Sequence, residues 1–480
     1  MIDTRQGIRK FANLGGAENR ADRLIRFAVS LIIALLAAYL PAYTGLGSEG
    51  RATFFILIFA AGLWLTEAIP AFAVSFLIIA LEIVLLGLIP GGEWEAFLSP
   101  WASPLVFLFL AGFIMASAAS KTRLDIWIAK RVLFLVGNRP EHIMSGMILV
   151  TFTMSMFISN TATAALIVSI LFPMLATMRP DNPYRKGLML AVTMAANIGG
   201  MGTIIGTPPN AIAVGLLGTS APSFVGWMML ALPPALLLVI SLRYLLLKRY
   251  PSNEPLIDLG PLHGVDHTDD TSIVHATVPS VPSWKKSAVV LTFSLTIMLW
   301  LTGPLHHIPT TVVSFLPIVI FTMLGILEAE DIRALHWDVI ILIIGGLSLG
   351  SAVSSSGLDD WIATLFAEQT LPLLLLVPIF AYLVVLLSNF MSNTAAANIL
   401  LPLVAAVAVV IGNSSPMLAV VTVALSASLA MALPVSTPPN AIVFASGALK
   451  SRDFWLMGIV SGVLGPLVIL GWIYLVSTFF

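Results

Sequence analysis

Two copies of one polar triplet lie inside long apolar stretches of this chain. Ser159, Asn160 and Thr161 form the first copy, in "SNTATAA", and the second is in "SNTAAAN". Its members are Ser392, Asn393 and Thr394. An amide can offer its oxygen to a cation or its NH2 group to a carboxylate, and a hydroxyl can do either. Because neither triplet contains His or Cys, the pattern favours a small anion or a hard cation over a transition metal.

A second pair of motifs carries two consecutive prolines. "GTPPNAIAVG" spans 206–215, and "STPPNAIVFASG" spans 436–447. Proline lacks a backbone N–H and cannot continue a helix smoothly, so Pro208 and Pro438 should each divide an apolar stretch into two half-helices. Such a break frees carbonyls, which suit a cation, and N–H groups, which suit an anion. The motifs therefore predict two further elements of one binding site.

The triplets and the proline motifs contain no Lys or Arg. An unpaired anion buried in apolar surroundings is costly, so cations that bind beside it would have to neutralise it. Sodium suits a ligand set made only of oxygens, whereas protons require a titratable group. The only acids deep in predicted spans are Glu67 and Glu82, and an acid within the membrane is a functional candidate. Proton coupling is therefore kept as an alternative to sodium coupling.

The composition indicates a membrane protein. Hydrophobic residues make up 58% of the 480 residues and charged residues 10%, with a mean hydropathy of +1.00. Soluble domains carry about 25% charged residues. The sequence therefore predicts an all-α polytopic membrane protein in contact with lipid. A net charge of -1 argues against nucleic acid as a partner, and the absence of cysteine excludes disulfides and thiolate metal sites.

Eleven stretches have the roughly 20 apolar residues that a spanning helix needs. They lie near 24–43, 52–70, 71–90, 104–120, 186–217, 223–247, 286–303, 309–327, 338–356, 416–447 and 454–479. The stretches 143–176 and 372–410 are each interrupted by a triplet, which predicts two re-entrant hairpins. With a cytoplasmic N-terminus, all basic residues except Arg51 fall in cytoplasmic segments and the C-terminus is external. The location is the plasma (inner) membrane.

The two halves of the chain repeat each other in order. "GFIMASAASKTRLDIW" begins at 112 and "GLSLGSAVSSSGLDDW" at 346, followed in each half by the triplet and then by the proline motif. Positions 112 and 346, 159 and 392, and 207 and 437 correspond, so the spacing stays between 230 and 234 residues. In the predicted topology the two repeats are inverted. Inverted repeats with broken helices indicate a secondary transporter that binds its substrate near the membrane midplane.

The chain resembles the divalent anion:sodium symporters, which include the sodium–dicarboxylate cotransporters. The resemblance rests on the paired motifs in this order, together with "LWLTEAIP" and "WDVIILIIGGLSLG…GLDDW". The resemblance covers roughly 22–480. It implies a homodimer that works by an elevator mechanism, in which a transport domain carries the substrate past a fixed scaffold. Alanines beside both triplets leave room for a C4 dicarboxylate such as succinate, malate or fumarate. The resemblance thus implies a sodium-coupled symporter with Na+ as the co-transported ion and no organic cofactor.

The resemblance also implies roles for individual residues. The first sodium site comprises Ser155, Ser159, Asn160 and the carbonyl of Gly206, and the second comprises Ser388, the carbonyl of Met391, Asn393 and the carbonyl of Ser436. The substrate contacts are Ser159, Asn160, Thr161, Ser392, Asn393, Thr394, Thr207, Pro208, Thr437 and Pro438. Ser436 departs from the family, where a small apolar residue is expected, although a carbonyl ligand tolerates that change.

The predicted division of the chain follows the repeats. The cytoplasmic tail is 1–23, the scaffold is 24–135 and 285–368, the transport domain is 136–249 and 369–480, and the cytoplasmic linker is 250–284. One alternative on the same fold is a sodium-independent dicarboxylate or citrate exchanger, and another is a carrier of sulfate or another inorganic anion. A membrane enzyme is disfavoured because no nucleophile, metal cluster or acid–base pair is found at depth. A channel is disfavoured because it would not need two inverted gates around a central site.

Overall fold

The computed structural model describes residues 20–262, 281–367, 373–412 and 416–479, and these ranges are helical without any β-strand. The first half contains α1 (Arg20–Tyr39), α2 (Ser48–Thr66), α3 (Ala71–Glu82), α4 (Pro104–Lys121), α5 (Leu124–Val136), α6 (Pro140–Ser155), α7 (Asn160–Thr177), α8 (Tyr184–Gly200), α9 (Pro208–Leu217) and α10 (Phe224–Arg249). The second half contains α11 (Ser283–Leu301), α12 (Gly303–His306), α13 (Thr310–Met323), α14 (Ala329–Arg333), α15 (Trp337–Ser355), α16 (Leu358–Ala367), α17 (Leu373–Ser388), α18 (Asn393–Gly412), α19 (Met417–Ala427), α20 (Pro438–Ala445) and α21 (Ser451–Phe479).

Several of these helices are long and apolar enough to cross a membrane. Among the described residues seven helical segments of at least 18 residues qualify, and they contain α2, α4, α7, α10, α11, α15 and α21. Shorter apolar helices, such as α3, α13 and α19, accompany them. The chain is therefore a multi-pass membrane protein, and the total of eleven spans stays a prediction. Most of the predicted tail and linker, with His263, His267 and His275, lies outside the described residues.

The internal repeat is visible in the order of the helices. The helices α4 to α10 correspond in order to α15 to α21, and each series contains a helical hairpin and a broken helix. The backbone repeats in detail at the turn between α4 and α5. There Arg123 adopts a left-handed conformation with φ 56°, and the corresponding Gly357 in the second half has φ 68°. Glycine adopts this conformation readily, whereas arginine does so rarely, so the turn geometry is shared although the residue is not.

The contact between α3 and α15 contains a buried acid. The two backbones approach closely at Gly345, where a Cβ atom would lie 2.3 Å from Cβ of Ser75. Glu82, at the end of α3, is fully buried and accepts a hydrogen bond from the hydroxyl of Ser348 on α15. Glu67 is exposed and directly follows α2, so it lies at a helix end and not deep in a helix. Glu82 is thus part of a contact between the two halves, outside the triplets and proline motifs.

Candidate functional site

The first triplet forms the turn of a helical hairpin. The helix α6 ends at Ser155 and α7 begins at Asn160, so only four residues join them. Ser159 is the N-cap of α7, and its hydroxyl accepts a hydrogen bond from the backbone N–H of Ala162 at 3.2 Å. Serine is favoured at this position because its oxygen satisfies an N–H that the helix leaves unpaired. The cap therefore fixes the start of α7, whose first residue is Asn160.

The residues of the first predicted sodium site lie close together. Oγ of Ser155 is 2.6 Å from Oδ1 of Asn160 and 2.7 Å from the carbonyl oxygen of Ala196 on α8. Asn160 packs against Gly200, where a Cβ atom would lie 2.5 Å from Oδ1 of the amide. A Cβ atom at Gly206 would lie 2.4 Å from the carbonyl oxygen of Gly200. Small residues at both glycine positions thus allow the hairpin turn and the first helix break to approach.

The second triplet forms the turn of the other hairpin, with two unpaired oxygens. The helix α17 ends at Ser388 and α18 begins at Asn393, and the hydroxyl of Ser392 accepts a hydrogen bond from the N–H of Ala395 at 3.1 Å. Oγ of Ser388 and Oδ1 of Asn393 are both buried, and neither has a hydrogen-bond partner in the structure. A buried polar atom without a partner is destabilising. Two such oxygens, from predicted ligands of one site, are the donor type that a hard cation requires.

Both predicted spans with a proline motif are interrupted. The helix α8 ends at Gly200 and α9 begins at Pro208, while α19 ends at Ala427 and α20 begins at Pro438. Each Pro-Pro pair occupies the first positions of the second half-helix, where a missing N–H has no consequence. The prolines therefore start α9 and α20.

Several carbonyls freed by these breaks accept side-chain hydrogen bonds, but in the described residues the predicted ligand carbonyls of Gly206 and Ser436 are not among them. The amide Nδ2 of Asn210 donates to the carbonyl oxygens of Gly200 at 3.0 Å and of Thr203 at 2.7 Å. Nδ2 of Asn440 donates to the carbonyl oxygens of Met431 at 3.1 Å and of Leu433 at 2.9 Å. Two asparagines that the sequence analysis did not single out thus stabilise both breaks. The signal was present, because "PPN" occurs in both motifs.

The second break is joined to the second hairpin by a contact that the sequence did not predict. The hydroxyl of Ser436 is 2.9 Å from Oδ1 of Asn389 and accepts a hydrogen bond from the N–H of Leu433 at 3.0 Å. Oδ1 of Asn389 also accepts the N–H of Ala432 at 3.0 Å. The side chain of Ser436, which replaces an expected apolar residue, therefore holds the hairpin turn against the break.

The elements of the two halves pack across each other. The helix α7 packs on α20, and α18 packs on α9, so each hairpin contacts the broken helix of the other half. Nδ2 of Asn197 on α8 donates to Oγ1 of Thr437 at 3.1 Å, and both residues are buried. Within the described ranges no hydrogen bond joins the first triplet to the second. The structure thus packs the second helix of each hairpin on the half-helix that follows the proline pair of the opposite half.

The predicted substrate contacts differ in their exposure. The exposed ones are Thr161, Ser392 and Pro438, the half-buried ones are Ser159, Asn160, Pro208 and Asn393, and the buried ones are Thr207, Thr394 and Thr437. Of the remaining predicted sodium ligands, Ser155, Gly206, Ser388, Met391 and Ser436 are buried. The predicted substrate contacts therefore range from exposed to buried, whereas five of the eight predicted sodium ligands are buried.

A cavity of ≈ 440 Å³ lies beside the first hairpin. Its lining includes the N-cap Ser159 and Thr163 at the start of α7, Asp125 of α5, and Asp331 and His336 around α14. The described residues that line it contain no Lys or Arg. The titratable side chains of this lining are therefore two carboxylates and one imidazole.

The two carboxylates of the cavity have opposite environments. Burial raises the pKa of Asp125, and hydrogen bonds such as that from the N–H of Ile126 oppose the shift without reversing it. Burial acts on Asp331 in the same direction, but the ammonium of Lys121 at 2.5 Å and the N–H of Glu328 at 2.7 Å outweigh it. The pKa of Asp331 is therefore below its usual value, and this carboxylate is charged at neutral pH.

Comparison with known proteins then identifies the family. The profile described as the sodium:sulfate symporter transmembrane region matches residues 20–478, which is almost the whole chain. The chain belongs to this family. The family is that of the divalent anion:sodium symporters, so the resemblance stated from the motifs is confirmed.

Curated relatives match over most of the chain. The sodium-dependent dicarboxylate transporter SdcS of Staphylococcus saprophyticus is 28% identical, over 94% of this chain and 91% of the relative. The SdcS protein of Staphylococcus aureus is 29% identical, over 95% of this chain and 91% of the relative. An uncharacterized transporter of Schizosaccharomyces pombe is 31% identical over 86% of this chain, but over only 48% of its own length.

Solved structures support the fold. The YdaH transporter of Alcanivorax borkumensis superposes with a TM-score of 0.53 at 13% identity, covering 90% of this chain and 98% of that chain. MtrF of Neisseria gonorrhoeae gives a TM-score of 0.53 at 13% identity, with 94% of each chain covered. At this identity the likeness shows that this family member has a transporter fold, and it carries no information about the substrate.

Proposed function

We propose that this family member is a sodium-coupled symporter that imports a C4 dicarboxylate across the plasma membrane. The observation that carries the proposal is the pair of unpartnered buried oxygens of Ser388 and Asn393. Those oxygens belong to a predicted sodium site, and the SdcS relatives are named sodium-dependent dicarboxylate transporters. Sodium is the ion that oxygen-only ligands in an uncharged motif fit, and the dicarboxylate is the anion that two triplets of amides and hydroxyls fit.

The order of binding follows from charge. The first sodium ion would contact Ser155, Ser159, Asn160 and the carbonyl of Gly206, and the second would contact Ser388, Asn393 and the carbonyls of Met391 and Ser436. Without these ions, the amides and hydroxyls of the triplets would face a dianion with no positive partner in either motif. We therefore expect the ions to raise the affinity for the anion, and the anion to raise the affinity for sodium by the same factor.

The remaining contacts would bind and orient the substrate. Thr161 and Ser392 are exposed beside their hairpin turns, where hydroxyls can reach a carboxylate. Thr207, Thr394 and Thr437, with Pro208 and Pro438, would complete the contacts to the substrate. The alternating packing of each hairpin on the opposite broken helix supports one composite site in place of two separate ones.

The proposed movement is that of an elevator. The transport domain, 136–249 and 369–480, would carry the site past a scaffold formed by 24–135 and 285–368, with two scaffolds joined in a homodimer. The architecture would comprise eleven spans and two re-entrant hairpins, α6–α7 and α17–α18. The N-terminus would be cytoplasmic and the C-terminus external. The seven long apolar helices and the two hairpin turns support this arrangement.

The experiment is uptake of labelled succinate into proteoliposomes, with an inward sodium gradient and then with potassium in its place. We expect sodium to drive accumulation and unlabelled malate or fumarate to compete. Asn160→Ala and Asn393→Ala should each abolish uptake, because each removes an amide from one triplet. Asn253→Ala, at an exposed position outside both hairpins, is the matched control and should transport normally. Normal uptake by both triplet variants would refute the site assignment.

A second candidate is an inorganic anion, because the family description names sulfate. Competition by sulfate but not by malate would favour this candidate. Uptake that ignores sodium and instead requires succinate inside the vesicles would identify an exchanger. That last result would also contradict the role given to cations in a site without Lys or Arg.

A further inference from the structure

A cleft of ≈ 740 Å³ lies apart from the triplets and from both Pro-Pro pairs. It forms where the connection between α7 and α8, the end of α10 and the start of α21 meet. The helices α10 and α21 are both long and apolar, and they pack against each other. Because the cleft lies just past the last turn of α10 and at the first turn of α21, it belongs at the boundary between membrane and water.

The lining of this cleft is basic. Four cationic side chains contribute to it, namely Arg185, Lys186, Arg249 and Arg452. Two carboxylates, of Asp181 and Asp453, also contribute. The lining therefore has an excess of two positive charges over its negative charges, in a concave surface that excludes part of the screening solvent.

Both carboxylates of the cleft already have partners. Asp181 accepts hydrogen bonds from the guanidinium of Arg179 at 3.1 and 3.2 Å. Asp453 lies 2.9 Å from the ammonium of Lys186 and accepts the backbone N–H of Lys450 at 2.8 Å. The pair between Lys186 and Asp453 also joins the first half of the chain to the second. The acids thus occupy Lys186 and, through the charge of Asp453, also attract Arg452, which leaves Arg185 and Arg249.

Two arginines from different elements remain available to a ligand. Arg185 is in the first turn of α8 and Arg249 is the last residue of α10, and neither makes an ion pair within the part of the chain that the structure describes. The guanidinium carbon of Arg249 lies 5.4 Å from the ring centroid of Tyr250, a contact that leaves its N–H groups free. Guanidinium groups bind phosphate through paired hydrogen bonds.

The cleft continues into an apolar surface of α21. Leu456 lines the cleft and is 45% exposed. Ile459 and Val463 follow it at helical spacing and are 51% and 50% exposed. A ligand with a phosphate and an acyl chain would pair its phosphate with the basic cleft and pack its acyl chain against the apolar face of α21. A free phosphate would use only the first.

We propose that this cleft binds the phosphate headgroup of an anionic phospholipid, with Arg185 and Arg249 as the phosphate ligands. Basic pockets between membrane helices on the cytoplasmic side bind such headgroups. The acyl chains lie against Leu456, Ile459 and Val463. The bound lipid spans the joint between α10 of the first half and α21 of the second. This inference does not depend on the transported substrate.

The test is lipid binding to the delipidated full chain in detergent, measured by native mass spectrometry and by the thermal unfolding temperature. The probes are phosphatidylglycerol, phosphatidylcholine with the same acyl chains, and inorganic phosphate. We expect phosphatidylglycerol to bind and raise the unfolding temperature, and the other two probes to have little effect. Each of Arg185→Gln and Arg249→Gln should weaken phosphatidylglycerol binding about fivefold, and the double variant about 25-fold.

The control is the double variant Arg131→Gln and Lys286→Gln, which removes two cations that do not line the cleft. It should bind phosphatidylglycerol as the unmodified chain does. Equal binding of the two lipids, or full binding by the cleft variant, would overturn the proposal. Protection by inorganic phosphate equal to that by phosphatidylglycerol would also overturn it, because the ligand would then be a soluble anion. Uptake of succinate is not used here, so failure of this test leaves the symport proposal intact.

Discussion

The variant Ser388→Ala tests two effects of one hydroxyl. One is the loss of stability that the hydroxyl causes while it is unpaired, and the other is its binding of a cation. Oγ of Ser388 is fully buried at the end of α17 and has no hydrogen-bond partner. An unsatisfied buried hydroxyl destabilises a fold by about 1–3 kcal/mol. Removal of this hydroxyl should therefore raise the free energy of unfolding in potassium buffer by about 1 kcal/mol. An ordinary packing serine would give the opposite sign.

In sodium buffer the same variant should lose stability relative to the unmodified chain. Sodium at about 100 times its Kd stabilises the native state by about 2.7 kcal/mol. If loss of the hydroxyl weakens sodium binding about tenfold, the stabilisation falls to about 1.4 kcal/mol. Sodium-dependent protection should thus be roughly halved, while the sodium-free stability rises.

The assay is unfolding of the purified protein in sodium chloride and in potassium chloride at equal ionic strength. Thr53→Val is the matched control, because Oγ1 of Thr53 is also buried without a partner but lies on α2, outside the hairpins. It should raise stability in both salts and leave the sodium-dependent shift unchanged. A full sodium shift in Ser388→Ala would refute the assignment of this hydroxyl as a ligand.

Three further predictions concern the breaks, the buried acid and the cavity rim. Asn440→Ala should lower the free energy of unfolding by about 2 kcal/mol, since two carbonyls of the second break lose their donor; unchanged unfolding would contradict the capping role. Glu82→Gln should keep sodium-driven uptake, because Glu82 lies outside the triplets and proline motifs. Loss of uptake would favour proton coupling through this carboxyl group. Asp331→Asn should reduce stability at neutral pH by less than about 1 kcal/mol, because its pair with Lys121 is partly exposed. This difference should vanish as the pH falls through the lowered pKa of Asp331, and a difference that persists in acid would show that the charge is not its cause.

The hairpins and the breaks could be predicted because their causes are local. Proline at 208 and 438 cannot continue a helix whatever surrounds it. Ser159 and Ser392 cap the helices that follow them through bonds that span three residues. Each motif also occurs twice and in the same order, which a chance match to a single motif would not explain.

The contact between Asn389 and Ser436 could not be predicted, because it joins residues 47 positions apart. In the first half a different residue makes the link, since the hydroxyl of Thr203 donates to the carbonyl oxygen of Met156. There Met156 and Gly206 occupy the matching positions. The basic cleft is equally non-local, since its arginines come from three separate helices. By contrast, Asn210 and Asn440 were readable in the sequence. An asparagine follows the proline pair in both motifs.

The most direct test of the central claim is uptake of radioactive sodium into proteoliposomes, with and without external succinate. Symport predicts that succinate accelerates sodium entry, and that Asn160→Ala or Asn393→Ala removes the acceleration. The fluxes must be coupled in both directions, because the same ions that neutralise the anion travel with it. Entry of labelled succinate while sodium entry stays unchanged would contradict the account, since sodium would then be at most an activator of transport.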